Sequence, residues 1–135
     1  MMQFFKTYIV VFFVFMVIDM LWLGILAKKL YREQIGFLLK SDVNWIAAIS
    51  FYLLYVVGLI VFVVEPAILR SSASYALFAG MFFGLVSYAT YDLTNLATMK
   101  DWPLSITFID MAWGTTLGGL TSYIGYILLA ALGWR

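Results

Sequence analysis

Four apolar runs dominate this sequence, and each is long enough to cross the hydrocarbon core of a bilayer, which takes about 20 residues. They cover residues 7–27, 44–64, 74–97 and 104–132. Backbone N–H and C=O groups find no water inside a bilayer, so runs of this kind fold as helices. The sequence therefore predicts an all-α fold, a four-helix transmembrane bundle that forms one membrane domain over residues 1–135.

The composition supports a membrane protein and excludes several kinds of chemistry. Of the 135 residues, 65% are hydrophobic and 11% are charged, against about 45–50% and 25% in soluble domains. The net charge of +1 argues against a nucleic-acid partner, because the chain has no basic field to collect phosphates. We expect membrane lipids as partners instead.

The chain has no histidine and no cysteine. Thiolate nucleophiles, Ser-His-Asp relays and zinc sites built from histidine or cysteine are therefore excluded. We expect no cofactor and assign no metal ligands. A divalent cation held by oxygen ligands stays open, since carboxylates and hydroxyls suit magnesium, calcium or manganese.

Residues at the boundaries of the apolar runs indicate where the predicted helices end. The first run is too long for a signal peptide, contains Asp19 and precedes Lys28 without a small-residue cleavage site, so we expect a retained helix. The second run is predicted to end at Glu65 and Pro66, because proline limits helix continuation. The third is predicted to end at the polar turn before Pro103.

The link between the first two runs, residues 28–43, has a different pattern. On a helical wheel its polar residues fall in one arc, and mostly apolar residues fill the rest. These polar residues are Lys29, Arg32, Glu33, Gly36 and Lys40. The pattern favours an amphipathic interfacial helix in the headgroup plane, between helices 1 and 2. A plain polar loop is the alternative.

The distribution of basic residues gives a weak topology signal. Five basic residues lie in the first and third links (Lys28, Lys29, Arg32, Lys40, Lys100), and three lie on the opposite side (Lys6, Arg70, Arg135). This count favours a cytoplasmic location for the first and third links, by a thin margin.

Three aspartates, Asp19, Asp92 and Asp110, fall inside the apolar runs. A carboxylate in hydrocarbon costs about 2.5–3.5 kcal/mol on insertion scales, and such residues usually mark functional sites. Helix rise places all three at depths of about 8–12 Å from the same membrane face. The sequence therefore predicts that the three carboxyl groups meet if their helices pack together.

Neighbouring residues extend this predicted site. Tyr91 and Asn95 share the polar face of the third run with Asp92, and we expect them, with Thr94, to bind a ligand. Trp22 and Trp113 each follow an aspartate by three residues, so an indole N–H could donate to a polar group there, and we expect both to bind the ligand as well. Filling space between helices is the alternative for both tryptophans.

The fourth run carries a ladder of small residues below Asp110. Gly114, Gly118 and Ser122 follow Asp110 at intervals of four, which lets a neighbouring helix approach closely. The ladder could serve an internal contact or a homodimer, and the pattern does not separate the two.

The aspartates have two functional interpretations and one structural interpretation. Burial and a neighbouring carboxyl both favour the protonated form of a carboxyl group, which suits a general acid or a proton carrier. The shallow depth favours a lipid-modifying enzyme, or its accessory subunit, over a proton-coupled carrier that binds near the midplane. The third interpretation is a structural partner subunit whose aspartates only join helices. Whether the chain is an enzyme stays open.

Several motifs resemble one known family. They are residues 88–98 with Tyr91-Asp92-Leu93-Thr94-Asn95, Trp102-Pro103, residues 110–114, 19–24 and 51–55, Gly58 and Pro66-Ala67. The chain resembles a family of small bacterial four-span membrane proteins, described as predicted membrane proteins of unknown function. The resemblance implies a multi-pass protein of the bacterial inner membrane and implies no reaction.

Overall fold

The structure, a computed structural model, describes residues 2–40 and 42–134, and it contains helices and no strands within those ranges. This confirms the all-α fold class. In chain order the elements are α1 (Met2–Leu21) with a π-helical turn (Trp22–Leu26), α2 (Lys28–Ile35) with a 3-10 turn (Gly36–Leu38), α3 (Trp45–Leu59) with a π-helical turn (Ile60–Val64), α4 (Glu65–Leu69), α5 (Ala73–Thr98) and α6 (Leu104–Ala131).

Three helical segments are long and apolar enough to cross a membrane, namely Met2–Leu26, Trp45–Leu69 and Ala73–Thr98. They coincide with the first three predicted runs, so the chain has the character of a multi-pass membrane protein. α6 is longer than any of them, but its glycine, serine and threonine residues lower its hydropathy and keep it outside that set.

The predicted end of the second run at Glu65 and Pro66 is wrong, because helical structure continues to Leu69. Proline removes one N–H and crowds the preceding turn of an α-helix. Here the π-helical turn Ile60–Val64 comes directly before it, and Pro66 lies in the first turn of α4. The wider turn accommodates the proline ring, so the apolar segment gains a further turn.

α5 and α6 form the most extensive helix pair in the structure. Gly84 lies against the backbone of Gly114, and Gly80 lies against the backbone of Gly118. A methyl group on any of these glycines would collide with the facing helix or with the Tyr88 side chain. The predicted small-residue ladder therefore makes a contact within the chain.

α2 is a real helix but shorter than the predicted segment 28–43, because the chain becomes extended at Leu39 after the 3-10 turn. The alternative of a plain loop is therefore wrong for residues 28–35. Its apolar side packs on the turn between α5 and α6, where Ile35, Trp102 and Ile106 form a small buried cluster. The main core lies between α1, α3 and α6, around Phe15, Leu59 and other buried apolar side chains.

Candidate functional site

The three aspartates are all buried, with exposed fractions of 3% for Asp19, 0% for Asp92 and 8% for Asp110. They come from α1, α5 and α6 respectively. Asp19 and Asp110 line one cavity, and Asp92 and Asp110 line a second one. The structure therefore brings together the carboxyl groups that helix rise places at one depth.

Asp19 has aromatic donors from two other helices. The indole Nε1 of Trp113, on α6, donates to Asp19 Oδ1 over 3.4 Å. The hydroxyl of Tyr52, on α3, also forms a hydrogen bond with this carboxyl group. Asp19 thus joins three helices through their side chains, as the structural interpretation of this residue predicts.

Asp110 is bonded by the short helix α2. The Tyr31 hydroxyl donates to Asp110 Oδ1 over 2.5 Å and accepts a hydrogen bond from Trp22 Nε1 over 3.1 Å. Burial raises the pKa of the Tyr31 hydroxyl, and the nearby Asp110 charge raises it further. Tyr31 therefore stays a neutral donor at physiological pH and holds α2 against α6.

Trp22 and Trp113 stack face to face, with ring centroids 4.5 Å apart and planes 8° from parallel. Both indole N–H groups donate, so the two predicted alternatives, donor and space-filler, are combined in each residue. Trp22 begins the π-helical turn at the end of α1, where Ala27 N–H bonds to the Trp22 carbonyl. Turns of this kind are frequent at functional sites.

Asp92 differs from the other two aspartates because its carboxyl oxygens meet no N–H donor and no hydroxyl among the described residues. The Asp110 carboxyl is within hydrogen-bonding reach of it. Carboxylate oxygens only accept, so a bond between these two groups requires that one of them carries a proton. Apart from the Asp110 carboxyl group, Asp92 thus has no hydrogen-bonding partner among the described residues.

Three cavities adjoin Asp110. The first, of about 210 Å³, lies beside Asp19, Trp22, Tyr31, Tyr52, Tyr88 and Trp113. The second, of about 410 Å³, lies between α2 and the α5–α6 turn, and Asp92 and Asp110 line it. The third, of about 330 Å³, lies beside Phe51, Ser87, Tyr88 and Tyr91. Asp110 therefore lines all three of these cavities.

The second cavity combines charges of both signs. Asp92 and Asp110 are buried on its inner side, whereas Lys28 and Arg32 are exposed residues that also line it. The indole of Trp102, which is 7% exposed, forms part of the wall. The cavity thus extends from a cationic rim to an acidic floor.

The remaining predicted ligand-binding residues are placed differently from one another. Tyr91 lines two of the cavities and packs edge-on against Trp102, with ring centroids 5.7 Å apart. The Asn95 side chain lies within hydrogen-bonding reach of Tyr91. Thr94 is exposed, and its hydroxyl donates to the backbone carbonyls of Thr90 and Tyr91 one turn earlier. Thr94 therefore does not line the cavities that adjoin Asp110.

Sequence reasoning missed Tyr31, Tyr52 and the cations of α2 as site residues. Tyr31 lies on the apolar side of the helical wheel of residues 28–43, which gave the one available signal that it points into the protein. The exposed pair Lys29 and Glu33, 3.7 Å apart, lies away from the cavities. Among the described residues, no group of three or more aspartates or glutamates is arranged to hold a metal ion.

Comparison with known proteins identifies a family and no relative of known activity. The family described as "Predicted membrane protein (DUF2177)", whose function is unknown, matches residues 4–127. No curated protein and no solved structure matches the chain. The match includes all three aspartates, both stacked tryptophans and α2, and the chain therefore belongs to this family of predicted membrane proteins.

Proposed function

We propose that the chain is a four-helix protein of the bacterial inner membrane, in which α6 is the fourth span and α2 lies at the membrane interface. α6 is the most heavily buried helix and packs against both α5 and α1, so its neighbours shield its small and polar residues from lipid. The charged side of α2 is exposed, with Lys29 and Glu33 on it. The family resemblance supports the bacterial inner membrane.

The absence of cysteine from the natural sequence makes the topology directly testable. We expect Lys29→Cys, on α2, and Asp101→Cys, on the α5–α6 turn, to react with a membrane-impermeant maleimide only after the cytoplasmic side is opened. Arg70→Cys, after α4, should react in intact spheroplasts. The reverse labelling pattern would contradict the proposed orientation, and labelling of Arg70→Cys and Asp101→Cys from the same side would contradict the third span.

The function that this site supports best is that of a lipid-modifying enzyme, or of the accessory subunit that presents the lipid to one. The second cavity, from here on called the headgroup cavity, is the observation that carries this proposal. It joins a cationic rim, Lys28 and Arg32, to a buried carboxyl pair, Asp92 and Asp110. Arginine and lysine bind phosphate, and a buried carboxyl group can give or take a proton.

In this proposal Asp92 is the general acid or base, because the described residues leave its oxygens without a donor. The proton that Asp92 loses is the one that the lipid headgroup gains, or the reverse. Asp110 adjoins Asp92 and is held by Tyr31, so it is a positioning residue that also tunes the charge of the pair. Asp19 and the stacked tryptophans hold α1 against α6 beside the same site.

A proton-coupled carrier is the second candidate, supported by the carboxyl pair that needs a proton for its hydrogen bond. A carrier also needs a path to the opposite face. In this structure α5 and α6 are in backbone contact below the site, at Gly80 and Gly118. This closed contact favours the enzyme over the carrier.

The test compares the lipid composition of cells that express equal amounts of the natural protein, Asp92→Asn or Asp101→Asn. Asp101 is an exposed aspartate of the α5–α6 turn and serves as the matched control. We expect the natural protein and Asp101→Asn to change the same lipid class and Asp92→Asn to change none. If all three lipid profiles coincide, the enzyme proposal is wrong. Full support of a cellular phenotype by Asp92→Asn would then favour the structural subunit, and solute uptake driven by a pH gradient would favour the carrier.

A further inference from the structure

Two residues that line the headgroup cavity carry buried polar groups that no N–H, hydroxyl or carbonyl group of the described residues satisfies. These groups are the carboxyl oxygens of Asp92 and the indole Nε1 of Trp102. Buried polar groups in native proteins are rarely left unpaired, so each unpaired one needs an explanation. One is a set of acceptors and the other is a donor, and both lie on the lining of the same cavity.

From this arrangement we infer that the headgroup cavity binds an aminophospholipid, a lipid whose headgroup carries a phosphate and a primary ammonium, as phosphatidylethanolamine does. The inference rests on the proposed function and names its substrate class. The ammonium occupies the acidic floor, and the phosphate lies toward the cationic rim.

The floor of the cavity suits a primary ammonium. Asp92 is completely buried and lies next to the Asp110 carboxyl group, while Tyr31 already satisfies one oxygen of Asp110. A primary ammonium brings three N–H donors and a positive charge, so it satisfies Asp92 and offsets the repulsion between two ionised carboxyl groups. A headgroup hydroxyl brings one donor and no charge.

The rim and wall of the cavity suit a phosphate. Arg32 presents a planar fork of N–H donors that matches phosphate oxygens, and Lys28 adds a second positive charge. Trp102, whose Nε1 lacks an acceptor among the described residues, also lines the cavity. A phosphate oxygen supplies the acceptor that this indole lacks.

The apolar lining indicates a membrane lipid as the source of this headgroup. Leu23 and Leu39 line the cavity and are 37% and 53% exposed, so apolar surface continues outward from it. Acyl chains can cover such surface, whereas soluble phosphoethanolamine would leave it in contact with solvent or with other lipids.

The chemistry predicts an order among headgroups. Phosphatidylcholine carries a phosphate and a positive charge, but its trimethylammonium has no N–H to donate to Asp92. Phosphatidylglycerol has hydroxyl donors but no positive charge. Phosphatidylethanolamine is the one of the three whose headgroup provides N–H donors together with a positive charge, so we expect it to bind best.

The experiment is native mass spectrometry of the purified full chain, released from detergent micelles with equimolar phosphatidylethanolamine, phosphatidylglycerol and phosphatidylcholine of the same acyl chains. We expect phosphatidylethanolamine adducts to exceed phosphatidylcholine adducts by about tenfold, which is the scale set by one desolvated charged contact. Asp92→Asn should remove most of that preference. Arg32→Gln should instead lower the adduct yield of all three phospholipids, because Arg32 acts on the phosphate that they share. Lys29→Gln is the matched control, because Lys29 is exposed and pairs with Glu33 outside the cavity.

Trp102→Phe provides a second variant that keeps the aromatic wall and removes only the N–H. It should lower the adduct yield of all three phospholipids, since it acts on the phosphate, and leave the order among them unchanged. Equal adducts for phosphatidylethanolamine and phosphatidylcholine would overturn the inference. So would a preference that survives Asp92→Asn in a variant with the elution volume of the natural protein. Soluble phosphoethanolamine that binds as well as the lipid would overturn the membrane source.

The two proposals fail in different ways. A preference for phosphatidylethanolamine together with unchanged cellular lipids would overturn the enzyme and leave the headgroup site in place. A change in cellular lipids that requires Asp92, without any preference for phosphatidylethanolamine, would overturn this inference alone.

Discussion

The two halves of the α5–α6 pair differ in their packing: one is in close backbone contact and the other adjoins cavities. In one half, Gly80 and Gly84 lie directly against the backbone of α6, and small residues allow this contact. In the other half, Asp92, Asp110 and aromatic side chains line three cavities of about 210, 410 and 330 Å³, together with residues of α1, α2 and α3.

This difference separates the contacts that stabilise the fold from the residues that form the proposed site. Close backbone contact gives van der Waals packing without a polar cost, which is the main source of helix association in lipid. Buried carboxyl groups are unfavourable in lipid, and such residues usually mark functional sites. We therefore expect substitutions in the glycine half to change stability first, and substitutions at Asp92 to change ligand binding and function first.

The largest effect on stability is expected for Gly84→Leu. Its side chain would collide with the backbone of Gly114, and the facing helix cannot move away without breaking its own packing. We expect a loss of about 3 kcal/mol or more in the free energy of unfolding, at the upper end for overpacked sites. An SDS titration of the purified protein, followed by tryptophan fluorescence, measures it.

Gly24→Leu is the matched control, because an added Cβ at Gly24 meets nothing within 4 Å. We expect this variant to stay within about 0.5 kcal/mol of the natural protein, as exposed positions generally do. Equal losses for the two variants would show that α5 and α6 are not in backbone contact at Gly84.

The next largest effect is expected for Tyr31→Phe. This change removes the donor to Asp110 and leaves a buried carboxyl oxygen and the Trp22 N–H without their partner. Such a loss costs about 1–3 kcal/mol. Because Tyr31 also holds α2 to α6, trypsin should cut faster at Lys28 in the variant. Tyr123→Phe, which changes an exposed tyrosine of α6, is the matched control, and trypsin should cut it at Lys28 at the natural rate. Unchanged cleavage in Tyr31→Phe would contradict the bonded position of α2.

A smaller effect is expected for Trp113→Phe. The variant loses a hydrogen bond to Asp19 that is long, at 3.4 Å, but a ring remains to pack on Trp22. We expect a loss of about 0.5–1.5 kcal/mol, the usual net value of one hydrogen bond. Trp113→Ala removes the ring as well and should cost clearly more in the same SDS titration. Equal losses of unfolding free energy in Trp113→Phe and Trp113→Ala would show that the stacking on Trp22 does not contribute to stability.

The smallest effect is expected for the ion pair between Lys29 and Glu33. Both side chains are largely exposed, at 87% and 61%, so water and salt screen their attraction. We expect Glu33→Gln to leave the SDS unfolding midpoint unchanged within error. A clear shift would mean that this side of α2 contacts something other than water or lipid headgroups.

Much of the fold follows from local sequence pattern. Apolar length predicts the helical segments Met2–Leu26, Trp45–Leu69 and Ala73–Thr98 with ends that differ by up to five residues, and the spacing of Gly114 and Gly118 predicts close packing. The sequence did not predict that helical structure continues through α4 to Leu69. This continuation follows a π-helical turn before Pro66, and the residues of that turn show no pattern that predicts it. The end of α2 at Ile35 depends on tertiary contacts with Trp102.

The site follows from sequence only in outline. Helix rise predicts a common depth for the three aspartates, because depth depends only on position along each helix. The hydrogen-bonding partners of each aspartate cannot be predicted from the sequence, because Tyr31 and Tyr52 reach the carboxyl groups from other helices. Thr94 illustrates the limit of motif reasoning, because it is next to Asp92-Leu93 in the chain but faces outward.

The most direct measurement of the central claim, that Asp92 is the reactive carboxyl group of a lipid-headgroup site, is labelling with a hydrophobic carbodiimide in reconstituted bilayers. Peptide mass spectrometry then locates the modified residue. We expect modification at Asp92, less at Asp19 and Asp110, and protection of Asp92 in bilayers that contain phosphatidylethanolamine compared with phosphatidylcholine alone. Modification of Asp19 or Asp110 with Asp92 unreacted in both bilayers would contradict the account.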